Sequence, residues 1–145
     1  ELGVVEIGGV GAAIVARGYE TDRVTERVRI DARAGQGVGT IRVVADAVVR
    51  APGRVVVVLN LEEQPGETSG FSPQRHLEVL AAQFPSLQVD TVLADPSRVP
   101  DIDALAAASA AVGASLVLAP VASRDGSARH DVDLLASAFG GLLGP

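Results

Sequence analysis

The sequence predicts a parallel α/β fold, and three features of its second half carry that reading. Arg54-Val55-Val56-Val57-Val58-Leu59-Asn60 is an unbroken β-branched run, the pattern of a strand buried on both faces. Two further apolar segments, Val89 to Ala94 and Ala114 to Val121, follow it far enough apart for a crossover helix between each pair. Helical spacing fills the intervals and the tail, so strand and helix alternate three times, as in a parallel sheet with right-handed crossovers. At 145 residues the chain has the size of a single domain, 1–145.

In chain order, Gly3 to Ile7 reads as a strand leading through Gly8-Gly9-Val10-Gly11 into a helix from Ala12 to Arg17. Val24 to Ile30 and Thr40 to Val44 look extended. Val43-Val44 or Ala47-Val48-Val49 ends only Arg50-Ala51-Pro52-Gly53 before the long valine run, whereas a parallel crossover needs about a dozen residues. Either these segments form a hairpin or residues are missing between them. The expectation taken here is missing segments, with 1–53 a fragmentary part and 54–145 the βαβαβα part.

The second half is regular. After Asn60 the chain enters a polar loop, Leu61 to Gly70, with two glycines and a proline. Ser72 is an N-cap residue and Pro73 suits the first helical position. Leu77, Leu80 and Ala81 then keep helical spacing until Phe84-Pro85. Asp95-Pro96-Ser97-Arg98-Val99-Pro100 is a turn. Asp101 or Asp103 can cap a helix running to Val112 and closed by Gly113. The stretch Ser123 to Ser127 is loop, and His130 or Asp131 opens a last helix through Leu134, Leu135 and Phe139, ended by Gly140-Gly141.

Composition narrows the function. No cysteine is present, so disulfides, thiolate metal sites and a cysteine nucleophile are excluded, which fits a cytoplasmic protein. All 12 basic residues are arginine, which excludes Schiff-base and P-loop lysine chemistry. The net charge of −6 argues against nucleic acid as a partner, and three Phe and one Tyr are too few for a row of base-stacking aromatics. No apolar run is long enough to span a bilayer. No methionine is present either, and a start truncated upstream of Glu1 is expected.

In open α/β sheets ligands bind beyond the carboxyl ends of the strands, here the loops after Asn60 and after Val121. Gln64-Pro65-Gly66-Glu67-Thr68-Ser69-Gly70 is rich in donors and acceptors, and its glycines let backbone approach a ligand. A capped strand-to-helix turn, with Glu67 near a helix N-terminus, explains the same residues. Arg129-His130-Asp131 begins the last helix, where a guanidinium and helix amides suit an anion; a solvated Arg129 beside a capping Asp131 is the alternative. A metal site would need His76 or His130 to meet carboxylates such as Asp131 and Glu67, and no metal is expected. Gly8, Gly9 and Gly11 form a weak phosphate-loop candidate that a tight turn explains as well.

The stretch Val57 to Ser72, with Asn60, Gln64-Pro65-Gly66-Glu67-Thr68 and then His76, is similar to the signature of the gluconeogenesis-factor (YvcK-like) proteins of the CofD-like superfamily. The likeness continues through Val92 to Pro100 and Arg129-His130-Asp131, about 90 residues in all. It implies a Rossmann-like three-layer fold with a parallel sheet. It also implies binding of a UDP-sugar such as UDP-N-acetylglucosamine, and a regulatory role in bacterial cell-wall precursor metabolism, cell shape and gluconeogenic growth. No catalytic residue and no cofactor are implied. Ligand contacts are expected from Asn60, Gln64, Gly66, Glu67, Thr68, Arg129 and His130. A regulatory protein partner and a homo-oligomer are compatible with it. The CofD branch supplies the alternative, a phospholactate transferase of coenzyme F420 biosynthesis, which uses a metal and acidic residues. The family's opening glycine-rich loop is only loosely matched by Ile7 to Gly11, and Glu1-Leu2-Gly3-Val4-Val5 resembles a segment lying after that loop, so an upstream glycine-rich loop is expected.

Overall fold

In the computed structural model, which describes residues 2–7, 12–17, 54–62 and 70–143, the valine run forms a strand with every residue buried, Val55–Leu59. It is β3 of one sheet whose order follows the chain: β1 (Leu2–Ile7), β2 (Ala12–Arg17), β3, β4 (Thr91–Ala94) and β5 (Ser115–Leu118). Three helices are described, α1 (Pro73–Gln83), α2 (Ile102–Ala111) and α3 (Val132–Leu143). β3, β4 and β5 are parallel neighbours, in register at Val57↔Val92 and Leu93↔Val117. The expected α/β class and Rossmann-like arrangement therefore hold for this half of the chain.

Strand alternation sorts the core into two layers. Val55, Val57 and Leu59 pack with Val92 and Ala94 against Leu77 and Leu80 of α1 and Leu105 of α2. Val56, Val58 and Leu93 face the other way, with Val121, against Phe139, Leu135 and Leu142 of α3. Each fully buried valine or leucine contributes about 1.5–3 kcal/mol of transfer free energy, so β3, apolar at all five positions, needs a helix layer on both sides. The α1 and α2 crossovers cover one face and α3 the other, giving three layers.

Local chemistry sets the ends. Ser72 Oγ accepts the Arg75 amide at 3.3 Å and Pro73 follows at the first turn of α1. Asp101 Oδ1 accepts the Ala104 amide at 2.9 Å to open α2, and Gly113, at φ +77°, takes the left-handed conformation that closes it. Just before β4, Asp90 stitches the amino ends of the parallel strands. Its Oδ2 accepts from Val55 N at 2.7 Å, its amide donates to Val55 O at 3.0 Å, and its carbonyl accepts from Ser115 N at 3.0 Å.

Three expectations are corrected. Ala12 to Arg17 is not a helix: it is β2, antiparallel to β1 with Val4↔Val15 and Val5↔Ile14 in register, and antiparallel to β3 on its other side. Six residues are too few for a stable helix, and only four separate the two segments, which suits a hairpin. The sheet is consequently mixed rather than all parallel. Gly140-Gly141 does not end the last helix, which runs on to Leu143. Leu142 packs into the α3 side of the core, and that burial outweighs the roughly 1 kcal/mol each glycine costs in a helix. The third strand is shorter than Ala114 to Val121: after the Ala119 amide, which still reaches Ala94 O at 3.1 Å, the chain turns to the end of β4, where Val121 N and Ala122 N bond Asp95. The extended segments expected at Val24 to Ile30 and Thr40 to Val44, with Ala47-Val48-Val49, lie outside the described residues, as does Ala51-Pro52-Gly53.

Leu93 is fully buried in the middle of the parallel trio, whereas Leu118 is 36% exposed. Leu93→Ala is expected to lower unfolding free energy by about 2–5 kcal/mol, and Leu118→Ala by no more than about 1 kcal/mol, measured by urea denaturation.

Candidate functional site

The carboxyl ends of β3, β4 and β5 lie side by side, and polar residues that follow each strand form one rim. Asn60, half-buried, leaves β3 and is followed by Leu61 and Glu62. Asp95 leaves β4 and opens a 3-10 turn, Pro96–Arg98. The segment from Ala119 to Asp131 leaves β5 and returns into α3.

Asp95 joins two of these exits. It is only 5% exposed, and both carboxylate oxygens are fully used. Oδ1 accepts from Ser97 N at 2.9 Å and Ser97 Oγ at 2.6 Å, within its own turn. Oδ2 accepts from Val121 N and Ala122 N, both at 2.8 Å, in the segment after β5. Burial by itself raises the pKa of this carboxyl, and the hydrogen bonds from Ser97, Ala122 and Val121 outweigh it, bringing the pKa from the ordinary 3.8 down to about 2.

The segment after β5 is a closed loop that passes over the end of β4 and reaches β3. Ser123 N donates to Arg129 O at 2.9 Å and Asp131 N to Val121 O at 2.8 Å, so its base is pinned like a short hairpin at Ala122↔His130. At its tip Asp125 Oδ1 accepts the Ser127 amide at 2.9 Å, with Gly126 at φ +79°. At its end His130 Nε2 lies 3.3 Å from the Leu59 carbonyl. A carbonyl only accepts, so the bond requires the tautomer with a proton on Nε2. A second link runs between the other exits: Arg98 pairs with Glu62 at 3.0 Å.

These bonds place some of the expected ligand residues together. His130 touches the last residue of β3, next to Asn60. Arg129 sits beside it with its side chain 81% exposed, paired with Asp125 at 3.7 Å. Asp125 is held down to about pKa 2 by hydrogen bonds from Ser127 and Ser123, with a smaller contribution from the Arg129 charge. Asp131 caps α3, its Oδ1 accepting from Asp133 N and Leu134 N, both at 3.0 Å. Two of the helix amides expected to meet an anion are thus already bonded, which leaves Arg129 as the exposed donor there. Gln64, Gly66, Glu67 and Thr68 lie outside the described residues, as do Gly8, Gly9 and Gly11; the latter three are flanked by two paired strands and not by a strand and a helix.

His76 is buried on α1, its ring 5.5 Å from that of Phe71, while His130 is on the rim. Among the described residues no three His, Cys, Asp or Glu side chains group closely enough to hold a metal ion. No described helix is long and apolar enough to cross a membrane. Asp95 is the residue that motif reading passed over as part of a turn. The available signal was an aspartate placed directly after an apolar strand and followed by Pro-Ser.

The fold and rim define a Rossmann-like α/β domain that gathers its strand exits around a buried aspartate. Within that class, the chain has curated homologues that are provisionally named gluconeogenesis factors. It is 40% identical over 92 residues to a Mycobacterium leprae protein provisionally named a gluconeogenesis factor, covering 61% of this chain and 25% of that protein. A Mycobacterium tuberculosis H37Rv protein of the same name is 39% identical over 92 residues, covering 61% and 27%. The matched segment thus spans about a quarter of the length of these curated relatives. No family model matches the sequence, and no solved structure matches it.

The lowered pKa of Asp95 fixes a pH dependence. A carboxyl depressed in the folded state stabilises above its unfolded pKa, and that stability is lost as pH falls through the folded value. Asp95 is therefore expected to contribute about 2 kcal/mol above about pH 4, a contribution that disappears between about pH 4 and pH 2. Urea denaturation of wild type and Asp95→Asn as a function of pH checks this: the two stability curves should converge over that interval.

Proposed function

We propose that this chain is part of a regulatory protein that binds a nucleotide sugar of the UDP-N-acetylglucosamine type on the carboxyl rim of β3–β5. The observation that carries this reading is the His130 contact with Leu59 O at 3.3 Å, which brings the Arg129 loop to the strand exit where the Asn60 to Gly70 segment begins. The homologues' name, gluconeogenesis factor, supports a role connected with gluconeogenic growth. The wider role proposed is control of bacterial cell-wall precursor supply and cell shape from the cytoplasm.

The chemistry is that of a diphosphate meeting a guanidinium. Arg129 presents a planar fork suited to two phosphate oxygens. Its pairing with Asp125 is long, at 3.7 Å, and exposed. Exposed pairs of this kind hold little free energy, so a diphosphate can take the guanidinium over. Asn60, Gln64, Glu67 and Thr68 are assigned the ribose and sugar hydroxyls, Gly66 a close backbone approach, and His130 the closing wall.

Calorimetric titration with UDP-N-acetylglucosamine tests the reading. Binding to wild type is expected, with Arg129→Ala weakening it roughly tenfold or more, the scale of one lost charged hydrogen bond. Absence of binding to the wild-type protein overturns the reading. Formation of a phospholactyl product from a nucleotide-activated donor and a deazaflavin replaces it with transfer chemistry.

A further inference from the structure

We propose that Asp95 is the positioning residue of this rim, setting ligand affinity through the β5–α3 loop without meeting the ligand itself. The inference rests on the nucleotide-sugar reading above. Asp95 is 5% exposed and saturated by four donors, so it has neither access nor a lone pair to offer a ligand. Its two oxygens divide the work. Oδ1 holds the Pro96–Arg98 turn, and Oδ2 holds Val121 and Ala122 at the base of the loop that carries Arg129 and His130.

The loop transmits this hold because its two arms are bonded to one another. Asp131 N meets Val121 O and Ser123 N meets Arg129 O, so Ala122 and His130 move together. Fixing Val121 and Ala122 over the end of β4 therefore fixes where His130 meets Leu59 and where the Arg129 side chain emerges. Asp95→Asn breaks the arrangement with almost no change of volume. An amide nitrogen placed at Oδ2 confronts two backbone N–H groups; placed at Oδ1 it confronts Ser97 N, and the loop then meets a neutral, weaker acceptor.

The test is a double-mutant cycle on the full chain, read as affinity for UDP-N-acetylglucosamine. Asp95→Asn and Arg129→Ala are each expected to weaken binding roughly tenfold, and the double variant to lose clearly less than the product of the two, because part of the Asp95→Asn loss runs through Arg129. Losses that multiply, or an Asp95→Asn protein that binds like wild type, overturn the inference. Ala122→Pro, which deletes one donor to Oδ2 and keeps Asp95, is the second variant should Asp95→Asn not fold, and the same non-additivity with Arg129→Ala is expected. Amide hydrogen exchange without ligand supplies an independent readout: Ser123 and Asp131 should lose protection in either variant while Val57 and Leu93 keep theirs. Unchanged protection of the loop overturns the inference. A wild-type protein that binds no nucleotide sugar defeats the functional reading and this inference together, whereas normal wild-type binding with unaffected variants defeats this inference alone.

Discussion

The structure depends on a carboxylate that is almost entirely buried. β4 lies between two aspartates, and each ties it to a neighbouring part of the chain at one end. Asp90 connects the amino ends of β3, β4 and β5, partly through its backbone and on an exposed edge. Asp95 ties the carboxyl end of β4 to the segment after β5 through its side chain, in a buried position. The difference matters energetically. A buried carboxylate is tolerated only when its charge is met by donors, and four of them more than offset the cost of burial here. Because the donors come from two separate segments, the same charge that must be neutralised also fixes their relative position.

This constraint explains why the rim has a definite shape although its parts are loops. Parallel strands leave the sheet on one side, and nothing in the ladder itself dictates where the next residues go. Asp95 holds the first turn after β4, the Glu62–Arg98 pair links that turn to the exit of β3, and His130 links the end of the β5 loop to the same exit. Of these links the Asp95 bond to Val121 N is buried, the other Asp95 bonds and the His130 bond are part-buried, and the ion pair is half exposed and worth less. The hierarchy runs from a rigid centre to an adjustable edge, and Arg129 stands at the adjustable edge.

Much of this was legible in the sequence, for a reason that differs by region. Val55 to Leu59 announces a doubly covered strand because burial on both faces removes polar alternation, and the capping residues Ser72 and Asp101 stand where helix amides need acceptors. Ala12 to Arg17 misled because alanine-rich six-residue stretches carry no decisive period, and pairing with β1 and β3 decided the matter. Gly140-Gly141 misled because local propensity said stop while Leu142 had core to fill. At the site, the Arg129 region was legible as chemistry and Asp95 was not. An aspartate in a turn reads as a solvated cap, and only the fold reveals that a segment 26 residues away covers it.

The state of the rim's titratable groups bears on what kind of function it can perform. A general base works best with a pKa near the working pH and a lone pair turned toward the substrate. Asp95 has neither, with its pKa near 2 and every lone pair directed at a backbone or serine donor. Asp131 is spent on the first amides of α3, and His130 directs its Nε2 proton at a main-chain carbonyl. Asp95, Asp131 and His130 are thus used to hold the backbone in place, while Glu62 and Asp125 pair with arginines. Arg129 presents its guanidinium outward on this rim, 81% exposed and loosely kept by Asp125. A guanidinium held this loosely is free to orient and neutralise an anionic group, the role the proposed reading gives it.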